Sequence, residues 1–215
     1  MRLMPTFGDR TMSRTVYLNG EYLPESEAQV SVFDRGFLFA DAVYEVTSVL
    51  DGKLIAFEGH AVRLQRSGNE LGMNYTVDMD ELLDIHRELV KRNDLKEGII
   101  FLQLSRGNPG DRDFAYPPEE TKPTLVLFTQ TANLLNNPKI STGMKVITVE
   151  DQRWARRDIK TTQLLFPSMA KMMAKGAGVD DAWMLEDGAI SEGSSKDAYV
   201  GMAGLIVTRH LGNEN

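Results

Sequence analysis

The sequence predicts a protein of mixed helices and strands, α/β or α+β in class, with a small α/β unit followed by a strand-rich unit. Three observations support this. Asn-Gly and Asp-Gly dipeptides separate short runs of β-branched and aromatic residues. Apolar residues recur at helical spacing through 78–93. A stretch at 133–143, with three asparagines, a proline and a glycine, is typical of a linker.

Each of these dipeptides predicts a two-residue hairpin turn, because Asn-Gly and Asp-Gly adopt the positive φ that type I′ turns require. In chain order, the predicted hairpins are 15–18 with 21–23 around Asn19-Gly20, 44–50 with 53–57 around Asp51-Gly52, and 182–186 with 189–190 around Asp187-Gly188. Runs of β-branched and large apolar residues predict further strands at 98–104, 124–129, 144–150 and 205–208.

Helices are predicted at 58–72, 78–93 and 167–175. In the second of these, Asp78 or Asp80 is placed to cap the first turn. In the third, Pro167 suits the first helical position and Gly176 suits the end of the helix.

The chain is predicted to divide near residue 135. The first unit, 1–134, is a small α/β domain, and its residues 1–12, where Pro5 and Gly8 stand among mixed charges, are expected to form a disordered tail. The second unit, 135–215, has about 80 residues and stops shortly after a strand. We therefore expect this second domain to be truncated.

Composition excludes several classes of function. The net charge is −7, from 24 basic and 31 acidic residues, which argues against a surface that coats nucleic acid. The chain has no cysteine, so disulfides and thiolate catalysis are excluded, and a reducing cytoplasm is the expected location. No apolar run approaches the roughly 20 residues that span a bilayer. Residues 1–14 mix charge with Pro5 and Gly8, so they are not expected to act as a secretory signal.

Sequence motifs exclude further chemistries. The three histidines, His60, His86 and His210, are far apart, so no metal site is predicted. No Gly-x-Ser-x-Gly elbow, Walker lysine or Gly-x-Gly-x-x-Gly turn occurs. The chemistry that remains depends on lysine and carboxylate groups.

Lys160 is the leading candidate for that chemistry. A loop lysine taken alone is most often a solvated residue. This one, however, lies between a predicted strand and a predicted helix, next to Ile159 and close to several arginines. A cationic neighbourhood favours the neutral amine, which is the form that attacks a carbonyl.

Glu192 lies thirty-two residues after Lys160, just beyond the third predicted hairpin turn. By itself it is typical of a surface carboxylate. Beside a reactive lysine it acquires a role, since a carboxylate can hold a proton on the ring nitrogen of a pyridine cofactor.

Four motifs in order resemble the class IV (fold type IV) pyridoxal-phosphate aminotransferases. They are Phe-Asp-Arg-Gly-Phe-Leu-Phe-Ala-Asp-Ala-Val-Tyr-Glu-Val at 33–46, Gly-His-Ala-Val-Arg-Leu at 59–64, Glu-Asp-x-Arg-Trp-x-Arg-x-Asp-Ile-Lys at 150–160 and Ser-Glu-Gly-Ser-Ser at 191–195. The resemblance runs from about residue 16 to the last residue. It implies the class IV fold, with 135–215 as part of the domain that binds the cofactor.

The resemblance also implies how pyridoxal 5′-phosphate is held. Lys160 would bind it covalently and later move a proton between the substrate's α-carbon and the cofactor's C4′. Glu192 would pair with the pyridine nitrogen, and Arg63 would bind the phosphate, which suits a planar, permanently charged guanidinium. Ser194 and Ser195 are the remaining residues expected at the cofactor.

For the substrate, the resemblance implies that Tyr44 and Arg112 bind the carboxylate. The segments 44–46 and 105–117 look like those of D-amino-acid transaminases. Branched-chain aminotransferases usually have a tyrosine five residues after the lysine, and Leu165 stands there. One departure concerns the D-specific loop, which often contains Arg-x-His, whereas Phe114 replaces the histidine here.

The implied reaction is amino transfer from a D-amino acid, with D-alanine and D-glutamate as donors, to a 2-oxo acid in a homodimer. Alternatives in the same class are a branched-chain aminotransferase and an aminodeoxychorismate lyase. A different kind of alternative is a truncated, non-catalytic relative. The sequence stops before the Gly-Ile-Thr-Arg-like turn and helix that, in the family, hold the phosphate, so we expect an incomplete phosphate site.

Overall fold

The computed structural model describes residues 13–208, and residues 1–12, including the predicted tail, lie outside them. In chain order the elements are β1 (Thr15–Leu18), β2 (Glu21–Pro24), α1 (Arg35–Phe39), β3 (Ala42–Leu50), β4 (Lys53–Leu54), α2 (Phe57–Glu70), α3 (Met79–Arg92), β5 (Glu97–Ser105), β6 (Thr124–Thr131), α4 (Lys139–Thr142), β7 (Val146–Glu150), α5 (Leu165–Gly176), β8 (Asp181–Glu186), β9 (Ala189–Gly193), β10 (Tyr199–Met202) and β11 (Leu205–Thr208).

The first unit is a six-stranded antiparallel sheet with the order β2-β1-β6-β5-β3-β4. On β3 the side chains alternate, so that Val43, Glu45, Thr47 and Val49 are buried while the intervening ones are half-buried. Helices α2 and α3 supply the other half of this core, through Ala61, Leu64, Leu82, Ile85 and Leu89. This period-2 pattern gives the sheet one closed face, which α2 and α3 cover, and one more open face.

A smaller sheet of order β7-β8-β9 forms the second unit. β7 and β8 are parallel, and α5 connects them; this requires a crossover, because parallel strands cannot be joined by a tight turn. Ala170 and Ala174 of α5 pack against Ala182 of β8, and these small side chains let the helix lie close to the strand. A two-stranded hairpin, β10-β11, follows.

The three predicted hairpin turns are confirmed. Asn19, Asp51 and Asp187 each have φ of 50°, and the glycine after each also has positive φ. The predicted cap of α3 is confirmed as well: the Asp78 side chain accepts hydrogen bonds from the backbone N–H groups of Asp80 and Glu81. These features depend on neighbouring residues alone, which is why the sequence predicted them.

Other predicted boundaries were wrong. The helix expected at 167–175 begins at Leu165, so Pro167 lies inside its first turn, where no backbone donor is required. The strand predicted at 53–57 ends at Leu54, because α2 begins at Phe57. The 133–143 linker contains the short helix α4. The predicted boundary at 134/135 falls between β6 and α4, and the division into two domains remains a prediction.

His86 provides a pH-dependent contribution to stability. Its side chain lies in the core, only 2% exposed, where Nδ1 is 2.7 Å from the carbonyl oxygen of Leu82 and the ring contacts Phe57 edge-on. Burial lowers the pKa of His86 from 6.5 to about 4. The unfolded chain therefore binds a proton near pH 6.5 that the folded chain does not bind until about pH 4.

We predict that the free energy of unfolding falls by about 3 kcal/mol through this group as the pH is lowered from 6.5 to 4. His86→Leu should remove that part of the slope, since leucine does not titrate. Urea titrations at a series of pH values measure the effect. Parallel pH profiles for the wild type and the variant would contradict it.

Candidate active site

The segment that carries Lys160 crosses from the small sheet to the edge of β3. The backbone N–H of Tyr44 donates to the carbonyl oxygen of Lys160 at 3.0 Å, and the N–H of Thr162 donates to Ala42 at 3.0 Å. Ile159 is 3% exposed and belongs to the core of the first unit. The candidate cofactor lysine is therefore held by backbone bonds at the junction of the two sheets.

Tyr44 and Lys160, predicted from separate motifs, lie in contact. The Lys160 Nζ is 4.6 Å from the centroid of the Tyr44 ring. That ring stacks on Phe101, which in turn stacks on Phe128, on the more open face of the large sheet. Lys160 is half-buried, and no carboxylate among residues 13–208 forms an ion pair with its amine. Its Nζ is thus positioned by an aromatic face and remains available for reaction.

The nearby arginines are neutralised, contrary to the cationic neighbourhood expected around Lys160. Arg156 binds Asp158 and Glu70, at 2.9 and 2.6 Å. Arg157 forms an ion pair with Glu186. Each positive charge is thus balanced by a carboxylate; Arg157 is only 15% exposed, and a guanidinium so buried requires such a partner.

Glu192 lies on β9 and pairs with Arg153, whose Nη1 donates to its Oε2. The Nη2 of Arg153 donates to Asp151 Oδ2 at 2.8 Å. Ser191 Oγ donates to the same carboxylate at 2.8 Å. Burial alone raises the pKa of Asp151, but the bonds from Arg153 and Ser191 outweigh it and lower the pKa to about 2. Asp151 therefore stays ionised and fixes the arginine that holds Glu192.

Arg63 forms a second such cluster with Glu45, whose buried side chain lies on the helix-covered face of β3, while Arg63 itself is 41% exposed. Its Nε and Nη2 donate to the carboxylate of Glu45 at 2.7 and 2.8 Å, and His60 Nδ1 lies 2.8 Å from the same carboxylate. Burial raises the pKa of Glu45, but the bonds from Arg63 and His60 lower it by more, so the net shift is downward. The pKa of Arg63 is raised chiefly by its bond to Glu45.

The remaining predicted residues lie in different environments. Ser194 is buried and its hydroxyl donates to Asp181, while Ser195 is exposed. Arg112 lies on the exposed segment between β5 and β6, 5.0 Å above the Phe39 ring. No hydrogen bond, ion pair or ring contact among the described residues joins Arg112 to Lys160.

Three residues at these sites lie within the sequence motifs, but no role was predicted for them: Glu45, Asp151 and Arg153. Glu45 follows Tyr44 directly, so it points to the opposite face of β3 and meets the i, i+3 pair His60 and Arg63 on α2. That spacing was visible in the sequence. The pairing of the two elements depends on tertiary packing and was not.

Comparisons with known proteins give the family. The family model described as amino-transferase class IV matches residues 42–202. D-alanine aminotransferase from Staphylococcus aureus (strain MSSA476) is 36% identical over 198 residues, covering 92% of this chain and 70% of that protein. D-alanine aminotransferase from Bacillus licheniformis is 34% identical over 193 residues, covering 90% of this chain and 67% of that protein. The chain belongs to the class IV aminotransferases, a family whose members use pyridoxal 5′-phosphate.

Solved structures agree on the fold. A branched-chain aminotransferase from Thermoproteus uzoniensis superposes with a TM-score of 0.79 at 22% identity, covering 94% of this chain and 70% of that one. The branched-chain amino acid aminotransferase from Escherichia coli gives a TM-score of 0.78 at 19% identity, covering 92% of this chain and 66% of that one. At these identities the likeness concerns the fold alone.

Within the described residues, 13–208, neither a membrane-spanning helix nor a metal-binding cluster occurs. None of the helices there is long and apolar enough to cross a membrane. No group of three or more histidine, aspartate or glutamate side chains in that part of the chain is arranged to hold a metal ion.

Proposed function

We propose that this chain transfers an amino group between a D-amino acid, with D-alanine and D-glutamate as donors, and a 2-oxo acid, using pyridoxal 5′-phosphate. The observation that carries the proposal is the half-buried Lys160 amine, unpaired among the described residues and placed over Tyr44. A lysine amine in that position can condense with an aldehyde, with loss of water, and later accept a proton from a neighbouring carbon.

The described side chains suit this cofactor. Glu192 has one oxygen bound by Arg153, and its Oε1 has no hydrogen-bond partner in residues 13–208, which leaves it for a ring nitrogen. Arg63 is fixed through Nε and Nη2, and its Nη1 is unengaged within the same range, which suits a phosphate. Ser194 and Ser195 follow Glu192 closely and complete the proposed cofactor-binding set.

Each group then has a role. The cofactor supplies an electron sink for the bond that breaks at the substrate's α-carbon. Lys160 holds the cofactor and moves the α-proton through Nζ. Glu192 keeps a proton on the ring nitrogen, and Arg63 binds the phosphate. Tyr44 and Arg112 bind the substrate carboxylate, so that one enantiomer presents its α-proton to Lys160.

The homodimer and the cytoplasmic location that the family resemblance implies are part of this proposal. Sedimentation of the purified protein tests the first. The second would be tested by fractionating cells that produce the protein.

The test of function is an assay of D-alanine with 2-oxoglutarate, in which pyruvate is the product. We expect activity with D-alanine and little with L-alanine. Preference for L-leucine or L-isoleucine would indicate a branched-chain aminotransferase. Pyruvate from an aminodeoxychorismate substrate would indicate the lyase, and no activity with any of them would indicate a non-catalytic relative.

Arg112→Ala should lower kcat/KM for D-alanine by at least tenfold, about 1.4 kcal/mol, because a guanidinium can bind a carboxylate through two parallel hydrogen bonds. A chiral amine without a carboxylate should be affected much less. Arg87→Ala, which removes an exposed arginine from α3, is the matched control. Equal losses for the acid and the amine would make Arg112 structural.

A further inference from the structure

A buried ion network lies under the segment that carries Arg112. Arg35, 4% exposed at the start of α1, donates from Nε to Asp41 Oδ2 at 2.7 Å. Arg106 binds the same carboxylate, with Nε at 2.8 Å from Oδ2 and Nη2 at 3.1 Å from Oδ1. One carboxylate thus fixes two guanidinium groups. Both arginines are buried and the Asp41 side chain is only 9% exposed, so their geometry is tightly constrained.

Arg35 also binds the segment that carries Arg112, through its Nη1. Its Nη1 donates to the carbonyl oxygens of Asp113 and Ala115, at 2.7 and 3.1 Å. These two carbonyls stand on either side of Phe114. A buried side chain therefore holds the backbone of an exposed segment at the residues that follow Arg112.

Aromatic contacts complete the attachment. The Phe114 ring packs on Phe39 of α1 with centroids 5.4 Å apart. The Arg112 guanidinium lies 5.0 Å from the Phe39 centroid and 4.8 Å from the Phe114 centroid. Further along, the Tyr116 ring lies 3.8 Å from the guanidinium of Arg106. Contacts of this kind attract a cation to the ring face.

The two ends of the segment, at Gly107 and Lys122, come together because the first of them is a glycine. Gly107 has φ of +92°, and a Cβ there would lie 1.9 Å from the carbonyl oxygen of Lys122. Its own carbonyl accepts from the backbone N–H of Arg35 at 2.9 Å. The two ends of the segment, Gly107 and Lys122, therefore lie in close backbone contact. Arg35 binds the segment near its middle.

We propose that Arg35 and Phe114 are positioning residues that seat Arg112, with Asp41 and Phe39 as their supports. The inference rests on the proposed role of Arg112 in binding the substrate carboxylate. It gives Phe114 a function in this chain, because the Phe114 ring, 4.8 Å from the Arg112 guanidinium, supports that side chain.

We call the contacts of Arg35, Asp41, Phe39 and Phe114 that hold the Arg112 segment the seat. Limited trypsin digestion tests whether the seat holds this segment, without any enzyme assay. Between Gly107 and Pro123 the basic residues are Arg112 and Lys122, and the bond after Lys122 precedes proline and resists trypsin. Cleavage after Arg112 therefore reports how often this segment opens. In the holoprotein, Arg35→Lys should speed this cleavage about tenfold, because lysine cannot bind Asp41 and both carbonyls at once.

Because Arg35 is buried, its replacement can disturb folding, and a second variant avoids this. Phe114 is 76% exposed, so Phe114→Leu should fold normally. It should speed cleavage and raise KM for D-alanine about threefold, the effect of a cation–π contact at an exposed site. Phe114→Tyr should restore both. Phe37 is another exposed phenylalanine and lies on α1; Phe37→Leu should change neither the cleavage rate nor the KM for D-alanine.

The outcomes separate the seat from the proposed function. Faster cleavage with a higher KM for D-alanine, and an unchanged KM for an amine without a carboxylate, supports the whole inference. Faster cleavage with an unchanged KM for D-alanine supports the seat and removes Arg112 from carboxylate binding. Unchanged cleavage in both Arg35→Lys and Phe114→Leu overturns the proposal.

Discussion

Lys160→Ala is expected to lower the rate of amino transfer by roughly 10⁴-fold or more, since it would remove both the proposed nucleophile and the proposed base from one position. Borohydride reduction of the wild-type holoprotein should fix the cofactor on the peptide that contains Lys160. In the variant, reduction should fix none. Fluorescence titration should still detect cofactor, because Arg63 and Glu192 would remain.

Lys175→Ala is the matched control, because Lys175 is an exposed lysine in the last turn of α5. It should leave both the rate and the labelling unchanged. Label on Lys171 or Lys175 in the wild-type protein would overturn the assignment of Lys160. Labelling of Lys160 with no transamination of any amino acid would keep the cofactor site and reject the proposed reaction.

Local sequence signals predicted the parts of the fold that neighbouring residues determine. The three hairpins depend on backbone conformations that Asn, Asp and Gly adopt readily, and the α3 cap depends on one side chain and its own next turn. The parallel pairing of β7 with β8 was not predicted, because it joins strands separated by α5. Periodicity identifies each element but not its partner.

The candidate site shows the same division. Lys160, Tyr44 and Glu192 were predicted from motifs, and the structure brings the first two into contact. The ion pair between Arg157 and Glu186 was not predicted, because the two residues are distant in sequence. The seat under Arg112 was also missed, since it joins α1 to a segment more than seventy residues later.

The second large effect is expected at Glu192. The Glu192→Gln side chain can still accept the hydrogen bond from Arg153 through its amide oxygen, so the geometry of the Asp151–Arg153 pair should survive. In the proposed site, the group facing the ring nitrogen would then be a neutral NH₂ donor in place of an acceptor. A donor cannot hold a proton on that nitrogen, and the cofactor loses electron-withdrawing power.

We therefore expect Glu192→Gln to slow transamination by roughly a hundredfold, the scale of removing one preorganised electrostatic group, while cofactor labelling on Lys160 persists. Glu150→Gln, at an exposed glutamate at the end of β7, is the control and should keep the wild-type rate. Glu192→Asp should recover part of the lost activity, because it restores the charge but shortens the reach. A wild-type rate in Glu192→Gln would remove this carboxylate from the mechanism. A slow variant that had also lost the cofactor would instead make Glu192 a binding residue, since the ring proton matters only once the cofactor is in place.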